Sequence, residues 1–231
     1  MMKLYLYLII LTICSSLNAE TTKNSASNHY KYSSLGLHFI ESEKSGIAIN
    51  LSIGLPGSFY LALERKADGI DYKNESYEKV VDSLRLGAFK GVGDLIGSIS
   101  AGDLKFKIKN LFDVFAEIGI KTSEFDGEKF NFEGEDTYAS YLAGIRFGNS
   151  NNLEGRLFID VSKEARIIDS GNPTCLSLVC PPYQAELSDA SDKKFGASIL
   201  YNINNRNAIF IELTSSNVIE NTVKIGYQFN F

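Results

Sequence analysis

Beyond residue 20 the sequence has no apolar run of membrane-helix length, so no helical span is expected after the leader, since about 20 such residues are needed to cross a bilayer. Histidine is nearly missing. His29 and His38 are the only two, which starves any histidine-dependent general-base chemistry. An excess of basic residues is missing as well: the formal net charge is −5, or about −6 once a leader carrying Lys3 is lost. That excludes the basic surface of a nucleic-acid-binding domain, so no nucleic acid is expected among the partners. Gly91-Val92-Gly93 is followed by no Lys-Ser/Thr pair, which leaves a phosphate loop unsupported.

Cysteine is scarce too. Cys14 falls in the leader, and Cys175 and Cys180 remain, in a stretch bearing Pro173, Pro181 and Pro182. In an exported chain a disulfide is the natural reading of such a pair. A ring this small pins a loop tip and adds little global stability. A metal pair is the rival reading, although two cysteines with no nearby histidine make a poor zinc set.

What is present begins with a secretory signal: Met1 to Lys3 is a short positive segment, Leu4 to Ile13 is apolar, and Ala19 is a small residue before Glu20. Cleavage is expected after Ala19, making residues 1–19 a signal peptide. An uncleaved anchor is the alternative, but the apolar run is short for one. Lipoprotein processing at Cys14 is another, with Ile13 standing where a lipobox has Gly, Ala or Ser. Residues 20–29 are then a short periplasmic segment, and residues 30–231 form the folded domain.

In that domain apolar residues recur with a period of two, which is the signal of half-buried strands. Ile47, Ile49, Leu51 and Ile53 alternate with small or polar residues, as do Phe112, Val114, Ala116, Ile118 and Ile120, and Leu157, Ile159 and Val161. Connections alternate between tight and long. The tight ones are Leu55-Pro56-Gly57, Lys109-Asn110, Asn149 to Asn152 and Asn204-Asn205; polar longer ones are expected near Lys66 to Glu78, Ser123 to Asp136 and Lys163 to Lys193. A transmembrane meander alternates its turns in this way. The reading is all-β: a transmembrane antiparallel up-and-down β-barrel of ten strands, with eight or twelve as alternatives. Gly91 to Asp103 is read as an insertion or distortion after a descending strand over Ser83 to Lys90, with Leu104, Phe106 and Ile108 alternating again.

Alternation alone does not separate this barrel from a soluble sandwich or lipocalin-like barrel. Charges deep within the opposing faces do, at Glu117, Arg146, Glu154, Arg156, Glu212 and Lys224, because they suit a polar lumen. Aromatics of the apolar face fall beside the tight turns, at Phe59, Phe112, Phe147, Tyr201 and Phe231, where a membrane interface favours rings. The chain closes on Val223, Ile225, Tyr227, Phe229 and Phe231 at alternate positions. This ending resembles the carboxy-terminal signature of bacterial outer-membrane barrels, read as an insertion signal by the barrel-assembly machinery. Asp113 to Gly119 and Gly144 to Phe147 likewise resemble strands of small OmpA-type and porin-like barrels. The resemblance implies the outer membrane of a Gram-negative cell, with its lipid and the assembly machinery as partners.

For chemistry the supply is thin, and no catalytic, cofactor-binding or metal-ligating residue is assigned. His38, sharing a strand face with Gly36 and Ile40, could form a dyad with an acidic neighbour, but an ordinary lumen histidine is the expected role. Asp126, Glu128, Glu133, Glu135 and Asp136 form an acidic loop without the spacing of an EF-hand. Glu117, Arg146, Glu154 and Arg156 lie on three successive strands and are expected to form a lumen charge network, either a rigid salt-bridge plug or a constriction that selects ions. The leading functional expectation is a non-enzymatic anchor presenting surface loops to envelope or external ligands. A narrow porin-like channel for ions or small solutes is the alternative, and a barrel enzyme acting on lipid or peptide is the third.

Overall fold

Ten strands follow one another along the chain and close on themselves. They are β1 (Ser34–Glu41), β2 (Gly46–Leu55), β3 (Phe59–Tyr72), β4 (Glu75–Gly91), β5 (Phe112–Gly127), β6 (Phe132–Gly148), β7 (Leu153–Asp169), β8 (Ala185–Asn202), β9 (Asn207–Ser216) and β10 (Thr222–Asn230). A helix, α1 (Val92–Ile99), follows β4 directly. Each strand pairs antiparallel with its neighbours in sequence, and β1 pairs with β10 to close the wall, Leu35 lying opposite Phe229 and Phe39 opposite Ile225. The chain is described by a computed structural model over residues 30–42, 44–72, 75–99, 112–127, 132–169, 185–218 and 221–231. His29, residues 1–19 and 20–29, the Leu104 to Asn110 stretch and the Cys175 and Cys180 pair lie outside the described residues.

Local chemistry sets the tight turns. Pro56 presets its own φ, and Gly57 takes φ 83°, the left-handed value that the third residue of a type II turn requires. At the next such turn Gly148 has φ 99°, and Asn149 Oδ1 accepts from the Asn151 amide at 2.9 Å. Asn204 Oδ1 does the same for the amides of Arg206 and Asn207, at 2.9 and 3.0 Å. Such side-chain caps let four residues reverse a strand at each of these two turns.

The opposite end differs from the sequence expectation. The described residues of the three long polar connections are strand: β3 and β4 continue to Tyr72 and from Glu75, β5 and β6 to Gly127 and from Phe132, and β7 and β8 to Asp169 and from Ala185. The supposed acidic loop is therefore mostly paired backbone, with Ser123 opposite Asp136 and Asp126 opposite Glu133. A strand ladder is made by backbone donors and acceptors. Its buried inward positions here mix Lys79 and Ser123 with the rings of Tyr77 and Phe125, so it persists without a run of apolar alternation to reveal it.

Period two sorts the side chains as expected. Leu37, Ile49, Leu86, Ile118, Ile199 and Ile211 point outward and are exposed, while His38, Arg85, Glu117 and Glu212 on four of the same strands are buried within. The wall is thus inside out relative to a soluble barrel. Along β10 and the residue that follows it the outward positions are Val223, Ile225, Tyr227, Phe229 and Phe231; five positions at about 6.7 Å spacing and about 40° tilt give a belt about 20 Å tall. Its loop-side border is marked by the Arg65 and Asp82 ion pair at 3.2 Å, the Thr122 and Thr137 hydroxyl contact at 3.1 Å, and exposed Lys163 and Lys193. The five aromatics expected beside the turns, Phe59, Phe112, Phe147, Tyr201 and Phe231, all stand on this outer face, Phe112 half-buried and the rest exposed.

Candidate functional site in the lumen

The inward faces carry charge in layers. Nearest the tight turns, Arg146 and Arg156 lie directly opposite each other on β6 and β7, a placement that like charges disfavour. They resolve it by reaching opposite ways. Arg146 donates through Nε at 2.8 Å, and also through Nη2, to Glu154 Oε2, and through Nη1 at 3.0 Å to the Lys31 carbonyl. Glu154 Oε1 accepts from Asn202 Nδ2 at 3.0 Å, so this buried carboxylate is satisfied on both oxygens. Arg156 instead lies over the rings of Phe115 and Phe158, 4.8 and 5.8 Å from their centroids, with Glu117 at 4.0 Å.

Glu117 is the hub of the next layer. It accepts from Tyr60 Oη at 2.7 Å and Arg85 Nη1 at 3.2 Å, while Arg85 Nη2 lies 3.6 Å from Asp160. On the far wall Lys224 Nζ bridges Glu64 at 2.5 Å and Glu212 at 3.4 Å. Tyr60 with Glu117, Arg85 with Asp160 and Lys224 with Glu64 are chords that tie non-adjacent strands together, and meeting an opposite charge offsets part of the desolvation cost of burying each ion. The network expected among Glu117, Arg146, Glu154 and Arg156 therefore exists as two pairs, Arg146 with Glu154 and Arg156 with Glu117. Arg85, Asp160, Tyr60 and Glu64 complete it. Tyr60, Glu64 and Asp160 fall on the polar face of the sequence alternation, and period two counted from Ser83 would have turned Arg85 inward.

Ring packing on glycine lets these layers close. A Cβ on Gly87 would stand 2.2 Å from the Tyr60 ring, and one on Gly196 would stand 2.0 Å from that of Phe158. Only glycine admits rings so near the wall. His38, buried, meets Asn50 Oδ1 through Nε2 at 2.7 Å and Phe210 edge-on at 4.6 Å. Its hydrogen-bonded neighbour is an amide rather than a carboxylate, so the lumen-histidine reading holds over the dyad.

The stretch before β1 is a feature the sequence reading left unassigned. Tyr30 to Ser33 enter the tight-turn mouth and are tied on every side. Tyr30 Oη donates to the Gly148 carbonyl at 3.2 Å, Lys31 Nζ donates to the Asn205 carbonyl, and Ser52 Oγ donates to the Tyr32 carbonyl at 2.6 Å. Tyr32 stacks on Phe89 at 3.7 Å, and the Arg146 guanidinium sits 4.9 and 5.0 Å from the rings of Tyr30 and Tyr32. The signal was there in outline, since Tyr30 and Tyr32 alternate just ahead of Ser34. What remains of the lumen is a cavity of about 220 Å³ lined by His38, Tyr60, Glu64, Arg85, Glu117 and Arg156 among others, enough for on the order of ten waters. His38 Nδ1, Arg85 Nε and Asp160 Oδ1 border it without a protein hydrogen-bond partner, which makes water their natural partner.

Three porin structures share the outline. The "KdgM porin" aligns at TM-score 0.38 and 8% identity over 86% of this chain and 99% of its own. "KdgM porin in complex with disordered oligogalacturonate" aligns at 0.32 and 12%, over 86% and 99%, and a NanC porin at 0.37 and 9%, over 86% and 100%. No protein-family model and no curated protein matches the chain. At that likeness the porins add nothing to the barrel already traced, and the functional argument rests on the lumen itself.

Proposed function

We propose that the protein is an outer-membrane barrel that serves as a narrow channel for ions or small solutes, with its tight turns in the periplasm and that mouth narrowed by Tyr30 to Ser33. One observation carries this: a charge-lined, water-sized cavity inside a closed wall whose outside is apolar. Rings of charged side chains are how pores discriminate among ions. Outer-membrane lipid and the barrel-assembly machinery are the partners this reading requires. A heat-dependent shift in gel mobility of purified membrane fractions tests the membrane part; identical mobility with and without heating, and recovery from the soluble periplasm, would sink it.

Planar-bilayer conductance tests the channel part. Wild-type protein is expected to show small steps, and the Tyr30→Ala/Tyr32→Ala double variant steps several-fold larger, because the two rings and the guanidinium between them occupy the mouth. Silence from both forms, folded and inserted, would return the barrel to an anchor for surface loops. Selectivity has its own handle. The Arg156 side chain is 34% exposed, against 10% for Arg85 and 9% for Arg146, so passing ions meet it first. Arg156→Glu is expected to move the reversal potential in a salt gradient toward cation preference, and an unmoved potential would take Arg156 out of the conduction path.

A further inference from the structure

Two lysines stand on the outer face of the wall where the apolar belt ends on β7 and β8. Lys193 lies opposite Val161, and Lys163 lies opposite Ser191. Both are exposed. They occupy diagonal positions of one face, about 7 Å apart between Cα atoms by sheet geometry. Phe195, 60% exposed, is the next outward residue below Lys193. Asn217, just past the end of β9, holds the strand there: its Oδ1 accepts from the Lys193 amide, and its Nδ2 donates to the Ser191 carbonyl at 3.4 Å.

Directly beneath runs an open groove of about 740 Å³ lined by Leu157, Ile159, Phe195, Ala197, Leu213 and Val223. Ala197 lies between Leu157 and Leu213 in the register, so the floor drops where one small side chain is flanked by two large ones. The border of the belt elsewhere has a different character. Acids and hydroxyls stand there, with Asp82 beside Arg65, Thr122 beside Thr137, and Glu41 and Glu124 exposed.

We propose that this face binds one phosphorylated, multi-acyl lipid of the leaflet at the loop end, with phosphate oxygens at Lys163 and Lys193 and an acyl chain along the groove. The proposal rests on the membrane reading above. Charge complementarity selects the occupant: ammonium groups at the headgroup level attract anionic lipid, and a groove free of charge below them suits hydrocarbon. A second copy of the chain docked through the same face would bring four lysines together, which like-charge repulsion opposes.

Native mass spectrometry in a neutral detergent tests it. The folded barrel, identified by its heat-dependent gel shift, is titrated with diphosphorylated lipid A and separately with zwitterionic phosphatidylethanolamine. Wild-type protein is expected to retain one lipid A, and the Lys163→Glu/Lys193→Glu variant to lose at least tenfold in occupancy while keeping its gel shift. Ala197→Phe, which fills the groove and leaves the charges alone, is expected to weaken retention as well. Lys90→Glu, at the tight-turn border of the belt, is expected to change nothing. Equal occupancy in wild type and the lysine variant would overturn the site, as would equal losses in Lys90→Glu, equal retention of phosphatidylethanolamine, or a lipid-free dimer. Failure of the membrane reading itself would show earlier, as a wild-type protein without a gel shift before any lipid is added.

Discussion

Ile118→Arg is expected to destabilise the inserted barrel by about 2–4 kcal/mol. Ile118 is an outward residue of β5, 56% exposed, flanked across the ladder by Leu86 and Tyr141. An arginine at the midplane of such a belt costs about 2–4 kcal/mol, and near the border about 0–1 kcal/mol. The larger figure is a sizeable share of a typical total stability of about 5–15 kcal/mol. The same substitution at Thr122, two outward positions along β5 and in contact with Thr137, is therefore the matched control and is expected to be mild. Urea unfolding of both variants in lipid vesicles, read by the heat-dependent gel shift, measures the difference. If Ile118→Arg folded as well as Thr122→Arg, the outer face would not be meeting hydrocarbon.

Glu154→Ala should be as damaging from the inside. It removes the acceptor of two Arg146 donors and of Asn202 Nδ2, at a side chain only 2% exposed. Breaking one half of a buried ion pair costs about 3–5 kcal/mol, because the survivor keeps its charge and loses its compensation. The effect should spread to the mouth, since the same guanidinium holds the Lys31 carbonyl and lies against Tyr30 and Tyr32. The Arg146→Met/Glu154→Leu double variant removes both charges together and is expected to recover most of the loss. Midpoints of unfolding for the three proteins decide the matter: a single variant no worse than the double one would mean that Arg146 has found water or another acceptor.

How far the sequence carried the fold depends on which side chains had to choose between lipid and lumen. Where they did, as in Val114 to Ile120 or Val223 to Phe231, period two announced both the strand and its facing. Above the belt the buried inward positions mix Lys79 and Ser123 with the rings of Tyr77 and Phe125, so Lys66 to Glu78 and Ser123 to Asp136 looked like loops while their described backbones continued the ladder. α1 after Gly91 left no readable pattern of its own beside the alternating segments. The lumen was legible as a set of charges and not as a set of pairs. Lys224 and Glu64 are 160 residues apart, and nothing short of closing the barrel brings them together. The stopper at Tyr30 to Ser33 was hidden for the same reason: its partners Gly148, Asn205 and Arg146 belong to distant turns and strands.

The strands are unequal in length, and the inequality is grouped. β3 to β8 have 14 to 18 residues, while β9, β10, β1 and β2, which are consecutive around the closure, have 8 to 10. On β8 the residues before Lys194 rise past the last β9 partner, Ser216, a step of about 20 Å at the usual rise and tilt. The described wall is thus a parapet with a gap on one side, and on the channel reading proposed above it is open sideways over β10 and β1 as well as vertically.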